Sequence, residues 1–135
     1  CGDIDDGCSG TLNCGSCTDG ETCNAGVCEA VPTTYAAHAQ PIYADKCSSC
    51  HTSGSSGGHS IGTSYADGQL DSYYCSGLTK AECTLIRISD GTMPDGSGCG
   101  GPVADGAANA GAPWNCVTVS EYATLEAWID GGMLE

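Results

Sequence analysis

A chain of 135 residues carrying 17 acidic side chains against three basic ones, Lys46, Lys80 and Arg87, and a formal charge of −14 is repelled by nucleic acid and by anionic membrane surfaces, which makes both poor partners and leaves no nucleic acid expected. Its length fits one ordinary domain, yet it has no Phe, 21 Gly and 12 Cys, and much of its 40% hydrophobic fraction is Ala and Cys. Burial alone therefore leaves stability marginal, and cross-links or a buried prosthetic group must add to it. No apolar run approaches the length of a membrane span, and no basic-plus-apolar leader precedes Cys1, so the chain reads as a mature form after signal removal.

Residues 1–30 hold Cys1, Cys8, Cys14, Cys17, Cys23 and Cys28 among Gly, Asp, Asn, Ser and Thr, with almost no aliphatic side chains. That composition predicts a loop module stapled by disulfides. Cys14-Gly15-Ser16-Cys17 has redox C-x-x-C spacing, but no strand and helix pattern surrounds it, and a structural disulfide is the simpler reading. Asp3, Asp5 and Asp6 fail the EF-hand template for calcium and read as solvated acids. The remaining cysteines form a pair, Cys47 and Cys50, and a set of four, Cys75, Cys83, Cys99 and Cys116. With the pair set aside, even numbers remain for disulfides, which points to an oxidising, extracytoplasmic compartment: secreted, cell-surface or periplasmic. Proximity suggests Cys75 with Cys83 and Cys99 with Cys116. Cys1 at the terminus invites a lipid anchor, although acylation would strand one of the other five cysteines, so parity favours a disulfide there.

Residues 31–34, with Pro32, read as a linker to a second domain over 35–135. Tyr35 to Ala39 is Ala-rich, and Pro41 suits the first turn of a helix running into Cys47. Cys47-Ser48-Ser49-Cys50-His51 then spells C-x-x-C-H. Two thiols about one helical turn apart add to the vinyl groups of a haem, and the adjacent imidazole ligates its iron from the same turn. A closed zinc site that borrows further cysteines is the competing use of Cys47, Cys50 and His51. Thr52 to Gly62 is Ser and Gly almost throughout and is expected to lie over the haem edge. Thr79 with Glu82 forms a capping box that opens a helix through Leu85, Ile86 and Ile88, closed by Asp90-Gly91, and Met93-Pro94 follows. Asp95 to Asn115 is a Gly, Ala and Pro loop between Cys99 and Cys116, with Trp114 expected to plug it onto the core. A second capping box, Thr118 to Glu121, starts the last helix, whose Tyr122, Leu125, Trp128 and Ile129 share one face before Gly131-Gly132 stops it.

Gln40-Pro41-Ile42-Tyr43 before C-x-x-C-H, then Gly91-Thr92-Met93-Pro94-Asp95-Gly96, then Leu125-Glu126-Ala127-Trp128-Ile129-Asp130-Gly131, match in order and rough separation. Over residues 35–135 the chain thus resembles a class I cytochrome c of the small bacterial monohaem kind. The resemblance implies a mainly α fold, a small helical domain around one covalent haem preceded by the disulfide-rich loop module. It also implies that the first and last helices cross beside the haem, with Ile42 and Tyr43 packed near Leu125 and Trp128. The N-terminal segment is similar in composition and spacing to cysteine-rich Gly-Asp segments of secreted or surface bacterial proteins, which carry no known chemistry.

His51 is the expected proximal ligand, its second ring nitrogen held by a backbone carbonyl. Met93, 42 positions on, follows a helix end and is stiffened by Pro94, so its thioether is the expected sixth ligand. His59, or His38, would instead give bis-His ligation and a lower potential. Met133, beside the terminus, is set aside. The function expected is one-electron transfer, with haem c as the single covalent cofactor and no catalytic residue. Redox proteins or a terminal electron acceptor are the expected partners, and the acidity could steer the chain to a basic one. A subunit of an extracellular cytochrome filament is the alternative, a homo-oligomer built through the stapled module. A haem enzyme or gas sensor with an open sixth site is a third reading, for which no distal His and Arg pair is evident.

Overall fold

The computed structural model describes residues 1–5, 7–18, 20–51, 58–107, 113 and 115–135. Two compact units make up the chain, Cys1–Pro32 and Thr33–Glu135.

In the first unit, β1 (Asp3–Asp5) pairs antiparallel with β2 (Thr11–Asn13), and β3 (Glu21–Asn24) with β4 (Val27–Ala30). Ala25 and Gly26 between β3 and β4 both take positive φ, 48° and 86°. This is the handedness a two-residue hairpin turn needs to match strand twist. Asp5 Oδ1 accepts from Gly7 N at 2.7 Å to turn the chain after β1. Residues of β1, β3 and β4 are exposed. Cross-links substitute for a core: Cys1–Cys23 and Cys17–Cys28 anchor the opposed cysteines of the second hairpin.

The second unit starts with a π-helical turn, Tyr35–Ala39, capped by Thr34, and continues into α1 (Gln40–Lys46), with Pro41 in its first turn. A short α2 (Tyr65–Gly68) follows, then α3 (Lys80–Ser89) and α4 (Val119–Asp130). Both long helices open on the expected capping boxes. Thr79 Oγ1 accepts from Glu82 N at 3.2 Å while Glu82 returns a carboxylate to Thr79 N at 2.7 Å, and Thr118 and Glu121 repeat the exchange. Asp90 and Gly131 terminate them. Cys75–Cys83 and Cys99–Cys116 are both disulfides, as their proximity suggested.

Tyr35, Ala39, Tyr43, Ile61, Ala81, Ile88, Val117, Leu125 and Trp128 form the core, with Ile42 packed against it. Tyr43 meets the Trp128 ring edge-on at 6.1 Å, so α1 and α4 share the contact that Ile42, Tyr43, Leu125 and Trp128 were expected to make. Trp128 Nε1 donates to Leu134 O at 2.8 Å, and Tyr35 Oη to Ile61 O at 2.6 Å. These two polar tips in the apolar centre thus have partners, whereas the buried Tyr43 hydroxyl has none.

The expectation of a mainly α fold behind a loop module is overturned. Helix covers 32% of the described residues and strand 16%, and the N-terminal segment read as loops holds two antiparallel sheets. Left-handed turn residues and staples make hairpins there although β1, β3 and β4 are exposed. In the second unit, Gly, Ser and Pro confine helix to short stretches that carry an apolar stripe. Trp114 and residues 52–57 lie outside the described residues, and with them the plug and most of the expected cover over the haem edge.

Candidate functional site

The end of α1 turns directly into the C-x-x-C-H pentapeptide. Cys47 N donates to Tyr43 O at 2.9 Å, and Cys50 N and His51 N both reach back to Cys47 O, at 3.1 and 2.9 Å. Cys47 is half-buried, Cys50 exposed and His51 buried, and both cysteines are thiols rather than disulfide partners. All three side chains line one cavity of about 780 Å³, a size in the range of cofactor sites.

Helix α3 forms another wall of that cavity. Lys80, Cys83, Thr84, Arg87 and Ile88 line it at three- and four-residue steps, the stripe that one helical face presents. Met93, Pro94 and Asp95 continue the wall. Met93 is positioned by the end of α3, its N donating to Arg87 O at 2.8 Å, while Thr92 bonds the Asp90 carboxylate through N and Oγ1 at 2.9 and 2.6 Å. Tyr73 and Tyr74, from the segment before α3, line a further side. The expected ligands Cys47, Cys50, His51 and Met93, and the alternative His59, are therefore brought to one cavity. His38 is not among its lining residues: its Nδ1 accepts from Thr34 N at 3.0 Å and caps the π-helical turn. Met133 packs against the core instead.

The His51 and His59 rings stack, 4.0 Å between centroids and 12° between planes. Burial first, and then the neighbouring His51, push the His59 imidazolium down to about 4. His59 is neutral at ordinary pH, with a buried Nδ1 that has no hydrogen-bond partner. Burial, followed by the nearby Cys50 and Glu121, pushes the Cys47 thiol up to about 12 against the opposing pull of Lys46. Cys47 thus stays protonated at neutral pH.

The charge pattern was not foreseen. Lys46, Lys80 and Arg87 are all the cations of Lys and Arg type in this chain, and all three line this cavity. Lys46 pairs with Asp45 at 2.9 Å and Glu121 at 3.5 Å, and Lys80 with Asp67 at 2.7 Å. Arg87 Nε is buried with no hydrogen-bond partner, its guanidinium 5.6 Å from the Tyr74 ring centroid. An orphaned guanidinium nitrogen in a basic-lined cavity suits a ligand that carries carboxylates. Two free thiols, a buried imidazole, a thioether and an unpaired Arg nitrogen around one space fit haem c, whose propionates would meet Arg87. They fit zinc poorly. Among the described residues, the only group of three or more His, Cys, Asp or Glu whose ligand atoms lie within 4.8 Å of one another is Cys1, Cys17 and Cys28, and those are disulfide-bonded. No helix among the described residues is long and apolar enough to cross a membrane.

Sequence reasoning missed Arg87, Tyr73 and Tyr74. The available signal was the helical stripe from Lys80 to Arg87 in a chain almost devoid of cations. Comparison with known proteins finds no matching family model, no matching curated protein and no matching solved structure.

Proposed function

We propose that this protein carries single electrons outside the cytoplasm through one haem c, held by thioether bonds from Cys47 and Cys50 and ligated by His51 and Met93. The observation that carries this reading is the convergence of those four side chains on one cavity that also gathers Lys46, Lys80 and Arg87. When bound, the haem iron supplies a one-electron ferric and ferrous couple. The chain's own residues do the rest. Cys47 and Cys50, both free thiols, would hold the group through thioether bonds, which addition of S–H to its vinyls forms without an oxidant. His51, buried at the end of the pentapeptide, offers a ring nitrogen, and Met93 is held for its role by the Arg87 carbonyl. Arg87, whose Nε has no hydrogen-bond partner, would offset propionate charge, while Lys46 and Lys80 are already paired with acids. Four disulfides support an oxidising compartment, secreted, surface or periplasmic.

Production in a host that matures c-type cytochromes tests the attachment. The intact mass should exceed that of the polypeptide by one haem, retained after acid extraction, and Cys47→Ser with Cys50→Ser should abolish the increment. A polypeptide of unmodified mass from that host would refute the reading.

A filament subunit is the second reading, and the first unit motivates it. Its two sheets have only two strands each and expose Ile4, Val27 and Val31 nearby, and such edges can accept strands of another copy. Size-exclusion chromatography and negative-stain microscopy that show only monomers across concentrations would remove it.

A further inference from the structure

His59 and Gly62 both lie against the C-x-x-C-H turn, on a stretch of backbone that is fastened from several sides. Ser60 N donates to Asp67 Oδ2 at 2.5 Å, and Lys80 Nζ holds Asp67 Oδ1 at 2.7 Å. Thr63 N and Ser64 N both donate to Ser60 O, at 2.9 and 3.0 Å. Ile61 is fully buried and its carbonyl accepts from Tyr35 Oη at 2.6 Å, while Gly62 O accepts from Gln40 Nε2 at 3.1 Å. Gly62 sits so close to the pentapeptide that a Cβ there would lie 2.9 Å from Tyr43 O and collide with Ser48 Oγ. His59 is thus presented from an ordered frame, and the entropy of ordering that frame is offset by contacts its own ring does not make.

What the frame presents to His51 is a ring face. The two imidazoles stand 4.0 Å apart between centroids and 12° from parallel, and both line the cavity. His59 Nδ1 is buried without a hydrogen-bond partner, so the contact is made by the flat of the ring and not by a bond through that nitrogen. Leaving a buried polar atom unpaired is a cost that a surface histidine avoids. The arrangement also bears on ligation. Two axial ligands of one iron meet it end-on from opposite sides, whereas these rings stand face to face, which suits one side of a haem and not a bis-His pair across it.

We propose that His59 is a positioning residue for the haem ligand His51, fixing the plane of the coordinating imidazole by stacking on it. The proposal rests on the haem reading. An imidazole bound to iron through one nitrogen can turn about that bond, and groups around a ligand set its orientation. A flat ring 4.0 Å away blocks the turn, because rotating the His51 plane drives its edge into the His59 face. Asp67 and Lys80 act one step further out, through Ser60 N.

The test is NMR of the purified full chain alongside His59→Ala and His59→Phe, the second of which keeps a flat ring but no ring nitrogen. In the reduced, diamagnetic protein, cross-relaxation should connect the His51 and His59 rings, and the His51 ring protons should shift downfield in His59→Ala but stay near the parent in His59→Phe. In the oxidised protein the spread of the haem methyl shifts follows the plane of the axial imidazole. That spread should change in His59→Ala and return to the parental pattern in His59→Phe. Parental methyl shifts in His59→Ala, or an altered spread in His59→Phe, would overturn the proposal. Loss of the low-spin spectrum in both variants would make His59 an iron ligand and overturn it equally. The visible spectrum of the same sample reports on haem separately: missing c-type bands strike the haem reading itself, whereas c-type bands with unchanged methyl shifts strike the role of His59 alone.

Discussion

Cys47 and Cys50 share a turn but not an environment. Cys50 is exposed, while burial pushes Cys47 up to about 12, and alkylation requires the thiolate. In protein made without haem, iodoacetamide at neutral pH should modify Cys50 well before Cys47 by peptide mapping; equal rates would contradict the described burial. Gly91 shows how one residue sets the position of Met93, the proposed sixth ligand. It takes φ +75°, and a Cβ there would lie 2.6 Å from the Gly100 backbone. Gly91→Ala should therefore cost about 1–2 kcal/mol from the left-handed backbone alone, with more from the clash, read by urea denaturation. Because Gly91 precedes Thr92 and Met93, the same substitution should disturb Met93 ligation in haem-loaded protein. The pentapeptide and Met93, which the structure brings to one cavity, could be picked out in the sequence because each is a local pattern. Arg87 was not, since its meaning arises only when α3 faces the C-x-x-C-H turn across a cavity.

Contacts between elements hold the cavity walls together, and the clearest is α2 against α3. Lys80 Nζ lies 2.7 Å from Asp67 Oδ1, with both side chains less than a fifth exposed. Burial alone would raise the Asp67 carboxyl, but hydrogen bonds from Lys80 and from Ser60 N, with the Lys80 charge, outweigh it and hold the group below its ordinary range. The folded value lies below the unfolded value of about 3.9, so the stability it contributes is present at neutral pH and lost as pH falls through the folded value. Asp67→Asn should cost roughly 1.5–3 kcal/mol at pH 7, and the difference from the parent should shrink towards pH 3 in denaturation curves. A constant difference across that range would assign the loss to packing instead. The capped helices were legible because Thr79 with Glu82 and Thr118 with Glu121 announce themselves over four residues. The hairpins of Cys1–Pro32 were not, because strands such as β1, β3 and β4, which are exposed, leave no apolar alternation to read. The brief α2, set on Ser64 in a Ser- and Gly-rich stretch, was hidden for a similar reason.

At the scale of the molecule the chain combines a strongly acidic composition with one cavity that its three cations line. That arrangement costs electrostatic self-repulsion across the surface, and the disulfides and the Trp128-centred core oppose it. Trp128 is fully buried, so Trp128→Ala should cost about 3–5 kcal/mol, enough to leave the second unit largely unfolded in calorimetry. A loss under 1 kcal/mol would show that the core is not where stability resides. The overall proportions of helix and strand were the part least legible from the residues. They depend on staples and turns, whereas the resemblance rested on motifs around one turn and two helices.

The central claim is that Cys47, Cys50, His51 and Met93 hold one haem c. Oxidised and reduced visible spectra of the purified protein, with a pyridine haemochrome assay, test it most directly. The account predicts c-type bands together with the weak far-red band of a methionine sulfur on ferric iron. Protein from a host that matures c-type cytochromes but lacking haem bands would contradict it, and c-type bands without the far-red one would remove Met93 from the iron.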